Sequence, residues 1–499
     1  MRIGIVGAGV AGLCTAKVLR AAGHDVVVWE RAPDVGGVWS ATRRYPGLST
    51  QSPRDTYAFS DFPMPRDYPE WPSGEQVQAY LAAYAHDARL EPVLRLRTEV
   101  VRAVHEAGRG WSLTVRDLTT GDETTEQIDH LVVANGVFCE PAVPELPGAD
   151  EFAAAGGQVL AGNAFHDVED ARGRHVVVLG YGKTACDIAA AVSGTAAATT
   201  IVARQLVWKV PRKVGGVLNF KHLLLTRLGE ALFRYRTLRG FEKVLHGPLN
   251  RVRSGMLDSL GPVSARQFGL AELDLEPRGR FQDIVRGAIG LTTDGFYDQV
   301  RAGALTVRRD RCITRLLEKD GTPHVELDDG CVLQADLLVC ATGFRQGVPF
   351  LDEEVAARLT DERGNFLLYR QIVPVGDGSL DDGLVDDLTF AGYNSSFFSP
   401  LNAEMAAVWT AERLAGRLPL PDRAAMRAHV DAQLAFMDDA TDGHHCHGTK
   451  IIPFSLHNVD EVLDDLGLNL SRGVRVRQWL SPVDPRAYRG VAAAARARG

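Results

Sequence analysis

No Cys-x-x-Cys pair occurs in the 499 residues, and the seven cysteines (Cys14, Cys139, Cys186, Cys312, Cys331, Cys340 and Cys446) are scattered and odd in number. This excludes a redox-active disulfide of the reductase type and favours a reducing compartment, with the cytoplasm as the default expectation. No run of about 18 uncharged apolar residues is present, so no transmembrane segment is expected. No charged leader precedes an apolar stretch with a small-residue cleavage site, so no secretory signal is expected either. Positive charge is in deficit: 55 Lys and Arg stand against 63 Asp and Glu, a net charge of -8. Bulk nucleic-acid binding needs a basic surface and is disfavoured.

What is present is an ordinary globular balance, 45% hydrophobic and 24% charged. The length exceeds what one compact core serves, so at least two domains are expected. Short apolar runs at Ile3–Val6, Val26–Trp29, Leu131–Ala134, Val176–Leu179, Thr200–Val202 and Leu337–Cys340 alternate with helical patterns such as Val10–Arg20 and Lys183–Val192. Strands alternating with helices predict a doubly wound α/β fold. Between Leu94 and His130 a two-residue alternation with turns at Gly108-Arg109-Gly110 and Thr120-Gly121-Asp122 predicts a small antiparallel meander.

From Arg204 to about Pro277 the pattern is mostly helical, with Leu223, Leu224, Leu228, Leu232, Phe233, Phe241, Val244, Leu245 and Leu249 at helix-like intervals. Between Arg204 and Ser254 twelve Lys and Arg meet only Glu230 and Glu242, a local charge of +10. This segment reads either as an inserted helical subdomain with a solvated basic face or as a surface for an anionic partner.

Two glycine fingerprints carry the chemistry. Gly7-Ala8-Gly9-Val10-Ala11-Gly12 follows a strand and opens a helix. Its glycines permit a tight turn, close backbone approach to a pyrophosphate and close helix–strand packing, and the helix N-terminus faces the negative charge. Glu30 follows 23 residues after Gly7, where a carboxylate accepts from ribose hydroxyls. Gly180-Tyr181-Gly182-Lys183-Thr184-Ala185 repeats the arrangement, with Ala185 in the third glycine's place. At the position matching Glu30 stands Ala203, followed by Arg204. Loss of the acid and gain of a guanidinium suit a 2′-phosphate, hence NADPH rather than NADH. Lys209, Arg212 and Lys213 read either as additions to that phosphate pocket or as surface charge, the latter being the expectation.

Gly36-Gly37-Val38-Trp39 adds a glycine pair that lets backbone lie along an extended cofactor and an indole that forms a flat wall. With the first fingerprint, it resembles the G-G-x-W segment of the class B flavoprotein monooxygenases, the group of flavin-containing and Baeyer–Villiger monooxygenases. The resemblance extends further. Leu160-Ala161-Gly162-Asn163-Ala164-Phe165-His166 is similar to the F-x-G-x-x-x-H signature of flavin-containing monooxygenases, with Leu160 for the aromatic and Asp170 where an aromatic is expected. Val133-Ala134-Asn135-Gly136, with prolines at 141, 144 and 147, resembles the strand and linker leaving the flavin domain. Ala341-Thr342-Gly343-Phe344 resembles the late A-T-G motif, and Phe390-Ala391-Gly392 with Asn402-Ala403-Glu404-Met405 the last flavin strand and a helix whose N-terminus faces the flavin. Position 51, asparagine in typical N- and S-oxygenating members and aspartate in typical Baeyer–Villiger members, is Gln51.

The resemblance implies two Rossmann-type domains: FAD-binding over 1–165 and 336–420, NADP-binding over 166–335 with a helical insertion at about 205–290, and a helical or irregular extension over 421–499. It implies that Gly7, Gly9, Gly12, Glu30, Gly37, Val38, Trp39, Thr50, Gln51, Asn135, Gly136, Thr342 and Gly343 hold FAD or line its site. Gly180, Gly182, Thr184, Ala185 and Arg204 hold NADPH, and Gln51 acts in catalysis. NADPH reduces the flavin, O2 adds at its C4a position, and one oxygen atom passes to a small-molecule soft nucleophile, an amine nitrogen or thioether sulfur. Baeyer–Villiger oxidation of a ketone and a non-catalytic flavin-binding scaffold are the alternatives. A disulfide reductase shares the layout but needs the absent Cys-x-x-Cys. His444-His445-Cys446-His447 is expected to be a polar loop and not a metal site, because adjacent ligands cannot all reach one tetrahedral ion. A homodimer is an open arrangement, since nothing in the sequence sets the oligomeric state.

Overall fold

The computed structural model describes residues 1–286, 289–380, 382–394, 396–443 and 455–498. His444, His445, Cys446 and His447 therefore lie outside the described residues. The N-terminal third contains β1 (Arg2–Val6), α1 (Val10–Ala21), β2 (Asp25–Glu30), α2 (Gly74–Asp87), β3 (Leu94–Leu96), β4 (Thr98–Glu106), β5 (Gly110–Asp117), β6 (Glu123–Ile128) and β7 (His130–Val133). The Val- and Ile-rich runs of β1, β2 and β7 have no polar face because the sheet is covered on both sides. The first sheet runs in the order Leu388–Phe390, β7, β1, β2, β3, with all four pairings parallel. Strands β4 to β6 form the antiparallel meander. It begins later than expected, because Leu94–Leu96 joins the parallel sheet as its edge.

After β8 (Glu140–Pro141) and α3 (Ala149–Ala154) come β9 (Gln158–Ala161), β10 (His175–Leu179), α4 (Lys183–Val192) and β11 (Ala198–Ala203). The second sheet runs Thr306–Arg309, β11, β10, Leu337–Cys340, β9, again wholly parallel. Both flanking strands fall outside the expected limits of 166 and 335. Gln158–Ala161 precedes the fingerprint and Leu337–Cys340 follows the limit, and sequence distance conceals that they pair with each other.

The 205–290 segment is less helical than its pattern suggests. It holds short helices at Lys221–Leu224, Arg227–Ala231 and Phe241–Leu245, one long helix at Asn250–Phe268, and a strand pair, Lys209–Val210 with Gly290–Leu291. Phe241, Val244 and Leu249, placed in the apolar pattern, are exposed. Much of its basic excess is matched inside the molecule. Arg227 pairs with Asp460, Arg236 with Glu461 and Arg239 with Asp464, all on the helix Ser455–Asp465. Its two acids, Glu230 and Glu242, grip His457 from both sides at 2.6 and 2.7 Å, and their carboxylates push that imidazole up to about 10. Part of the insertion's charge thus fastens it to the C-terminal extension.

Candidate active site

At the first fingerprint the chain leaves β1 through Gly7, which takes φ +110° and donates to Trp29 O at 2.8 Å. A Cβ at Gly12 would lie 1.9 Å from Gly7 O, so α1 packs on the turn with no room for any side chain. Gly9 differs: a Cβ there meets only Gly37, its Cα at 3.6 Å, on the margin of a cleft of about 290 Å3. Glu30, 8% exposed at the end of β2, accepts from Ala8 N at 2.8 Å and Ala32 N at 2.9 Å. Both carboxylate oxygens are thus oriented, and each keeps lone-pair capacity for a ribose hydroxyl.

The far wall brings in Gly37, Val38 and Trp39, whose indole donates to Tyr57 at 3.3 Å. Asn135 and Gly136 close the end of β7; Asn135 donates to Gly347 O and accepts from the Tyr393 hydroxyl, both at 2.8 Å. Ser399 and Ala403, from the helix Ser399–Leu414, complete the cleft beside Gly9 and Val10. That helix starts earlier than its sequence motif suggests, and its N-terminal turn lies at the cleft. One turn along it, half-buried Glu404 accepts from Ser60 N and Oγ at 2.8 and 2.5 Å, and desolvation raises its carboxyl to about 7.

Four predicted residues lie elsewhere. Thr50 is buried, its backbone N–H on Pro72 O, and its hydroxyl has no partner among the described residues. Gln51 accepts from Leu291 N at 2.9 Å, which puts it where the flavin-domain loop meets the insertion strand. Thr342 and Gly343 hold the chain crossing between the sheets: the Thr342 hydroxyl donates to Ala142 O at 2.6 Å and Ala142 N donates to Gly343 O at 2.9 Å. Conversely, Arg43 was not anticipated. It lines the cleft, donates to Phe138 O, and has a buried Nε without a partner among the described residues, while burial lowers its pKa. Nothing local distinguishes it from Arg44, which turns to Glu75.

The second fingerprint repeats the geometry. Gly180, at φ +120°, donates to Val202 O at 2.9 Å, and a Cβ at Gly182 would meet nothing within 4 Å. Thr184 donates to the Tyr45 hydroxyl at 3.3 Å, and Ala185 fits where Gly12 stands in the first unit. Arg204 is exposed just beyond β11, with no ion pair among the described residues. His166 sits on the surface, its Nδ1 3.0 Å from Arg44 O. Lys209 and Arg212 are not the surface charges expected: Lys209 is buried, and Arg212 bridges Ser49 and Asp294 and stacks over Trp71.

The open glycines Gly9 and Gly182, each at a helix N-terminus beneath a parallel sheet, fit a dinucleotide apiece. This defines an α/β oxidoreductase with two dinucleotide cradles. The family described as flavin-binding monooxygenase-like matches residues 1–252, half of the chain. The chain belongs to that family; it is a flavin-dependent monooxygenase that works with FAD and NADPH. A probable indole-3-pyruvate monooxygenase, YUCCA7 of Arabidopsis thaliana, is 30% identical over 72% of this chain and 78% of its own. Human dimethylaniline monooxygenase [N-oxide-forming] 4 is 24% identical over 90% of this chain and 79% of its own. Among solved structures, S-allyl-L-cysteine S-oxygenase from Allium sativum superposes with a TM-score of 0.62 at 20% identity, covering 100% of this chain and 98% of that one. Cyclohexanone monooxygenase in its closed form gives 0.67 at 18%, covering 93% and 97%. These two likenesses concern the fold. Among the described residues no helix is long and apolar enough to cross a membrane.

Proposed function

We propose that the enzyme passes one oxygen atom from O2 to an amine nitrogen or thioether sulfur of a small molecule. When bound, FAD supplies the redox chemistry, taking reducing equivalents from NADPH and activating O2. Gly7, Gly9, Gly12, Glu30, Gly37, Val38, Trp39, Asn135 and Gly136 hold FAD in this reading. Gly180, Gly182, Thr184, Ala185 and Arg204 hold NADPH, while Thr342 and Gly343 secure the crossing between the two domains. The observation that carries the choice of reaction is the neutral amide at position 51, which lies outside the cleft and so acts in this reading through the charge that it leaves out of the domain junction. Leu291 N fixes Gln51 Oε1, which leaves Nε2 as an uncharged donor at the junction of flavin domain and insertion. An uncharged donor adds no negative charge, which suits delivery of an electrophilic oxygen to an electron-rich N or S. Attack on a ketone carbonyl requires the opposite polarity, which a carboxylate would favour.

The name of the human relative, N-oxide-forming, supports this reading. Oxidation at a carbonyl is the second reading, favoured by relatives named for indole-3-pyruvate, a 2-oxo acid. The two separate when purified holoenzyme with NADPH and 18O2 is offered a thioether, a tertiary amine, a ketone and a 2-oxo acid. Labelled sulfoxide or N-oxide is expected. Labelled ester or carboxylate as the sole product would replace the proposal with the second reading.

A further inference from the structure

Lys209 is 4% exposed, and its ammonium lies directly under the second glycine turn. Nζ donates to Tyr181 O at 2.7 Å and sits 4.6 Å from the Tyr181 ring centroid. Among the described residues it has no carboxylate partner. The buried acid Asp187, on α4, does not serve it either: its Oδ1 pairs with Lys183 and accepts from the Thr293 hydroxyl at 2.5 Å, and among the described residues its Oδ2 has no hydrogen-bond partner. One carbonyl, one aromatic face and the Cys186 thiol compensate an ammonium only in part, and a desolvated charge without a counter-ion is expensive. A methionine would fill the same space without that penalty.

The geometry suggests what the charge is for. Tyr181 O and Gly182 N–H belong to one trans peptide and point in opposite directions. Drawing Tyr181 O onto Lys209 therefore turns Gly182 N–H the opposite way, away from the ammonium, and a Cβ at Gly182 would meet nothing within 4 Å. The turn opens α4, whose N-terminal end carries partial positive charge of its own. Resting on the assignment of NADPH to this turn, we infer that Lys209 is a positioning residue of that site: it sets the Tyr181–Gly182 peptide to present its N–H to the dinucleotide phosphates and adds positive charge beneath them. Arg204 then reads the 2′-phosphate alone, while Lys209 serves any nicotinamide dinucleotide.

The test is calorimetric titration of FAD-loaded enzyme with NADP+ and, separately, NAD+. Lys209→Met should weaken both by about tenfold or more with flavin content unchanged, whereas Arg204→Ala should weaken only NADP+. Lys209→Gln keeps a donor to Tyr181 O without the charge; it should lose several-fold affinity for both, and it carries the test should Lys209→Met fail to hold flavin. Wild-type affinity for both ligands in Lys209→Met or Lys209→Gln, with only a lowered Tm, would overturn the role. So would a loss confined to NADP+. Gly182→Val is the control for the underlying assignment: if it binds NADP+ normally the site itself is misplaced, and if it loses binding while Lys209→Met does not, only the role of Lys209 falls.

Discussion

In the first cradle the residue between the two leading glycines, Ala8, has its N–H held by the Glu30 carboxylate; in the second, Tyr181 has its carbonyl held by the Lys209 ammonium. The backbone turns are near copies, with Gly7 and Gly180 both at positive φ and both donating to the neighbouring strand. The supporting charge is reversed. A carboxylate beneath the turn suits a cofactor that presents hydroxyls nearby, and an ammonium suits one whose affinity rests on phosphate. A duplicated fold has thus been divided into two sites by changing what lies under the loop and leaving its path intact. The tightness differs too: Gly12 abuts Gly7 O, whereas Ala185 has room for its methyl.

The largest expected effect tests that tightness. Gly12→Ala should force α1 off the turn, at a cost of about 3 kcal/mol as an overpacked contact, and release flavin. Ala185→Gly should cost only about 1 kcal/mol of helix propensity. Equal shifts in the Tm of the two variants would erase the distinction. Next, Gly9→Val should purify colourless, because its side chain enters the cleft, while Gly182→Val should stay yellow and lose NADP+ binding; absorbance at the flavin band and a titration decide. Arg204→Glu should reduce the preference for NADPH over NADH by tenfold or more in kcat/KM, and an unchanged ratio would mean that another cation reads the 2′-phosphate. The smallest effect concerns pH. Glu404 has its folded pKa raised to about 7 by burial, so the native state holds this proton more tightly than the unfolded chain does. Its contribution is fully present below the unfolded value near 4.5 and is lost as pH rises through about 7. Glu404→Gln should therefore flatten the fall in Tm between pH 5 and pH 8, and an unaltered slope would assign that fall to other groups.

What the sequence made legible was local. Val- and Ile-rich runs gave strands because both faces of each sheet are covered, and glycines marked turns because only they tolerate positive φ or a contact as close as that of Gly12. Long-range partners were not legible. Lys209 reads from sequence as a surface cation or an addition to the phosphate pocket, and its burial is hidden because nothing nearby says that Tyr181 lies over it; Arg227, Arg236 and Arg239 read as a basic face because their acids lie more than 220 residues further on. Thr342 and Gly343 carry a family motif, yet their bonds go to Ala142 on the crossing chain and not into the cleft. Gln51 was visible as a departure from its relatives, but its anchor at Leu291 depends on an insertion whose path no periodicity reveals.

The closing of the first sheet by Leu388–Phe390 has a consequence for biosynthesis. When β7 leaves the ribosome its outer edge has no neighbour, and some 250 residues must still be translated before one arrives. At roughly 5–20 residues per second this leaves a bare strand edge for tens of seconds. The second sheet draws every strand from residues 158–340 and can close sooner. The half built on the second sheet is therefore set to fold first on the nascent chain, and the half built on the first sheet, begun earlier, to finish last.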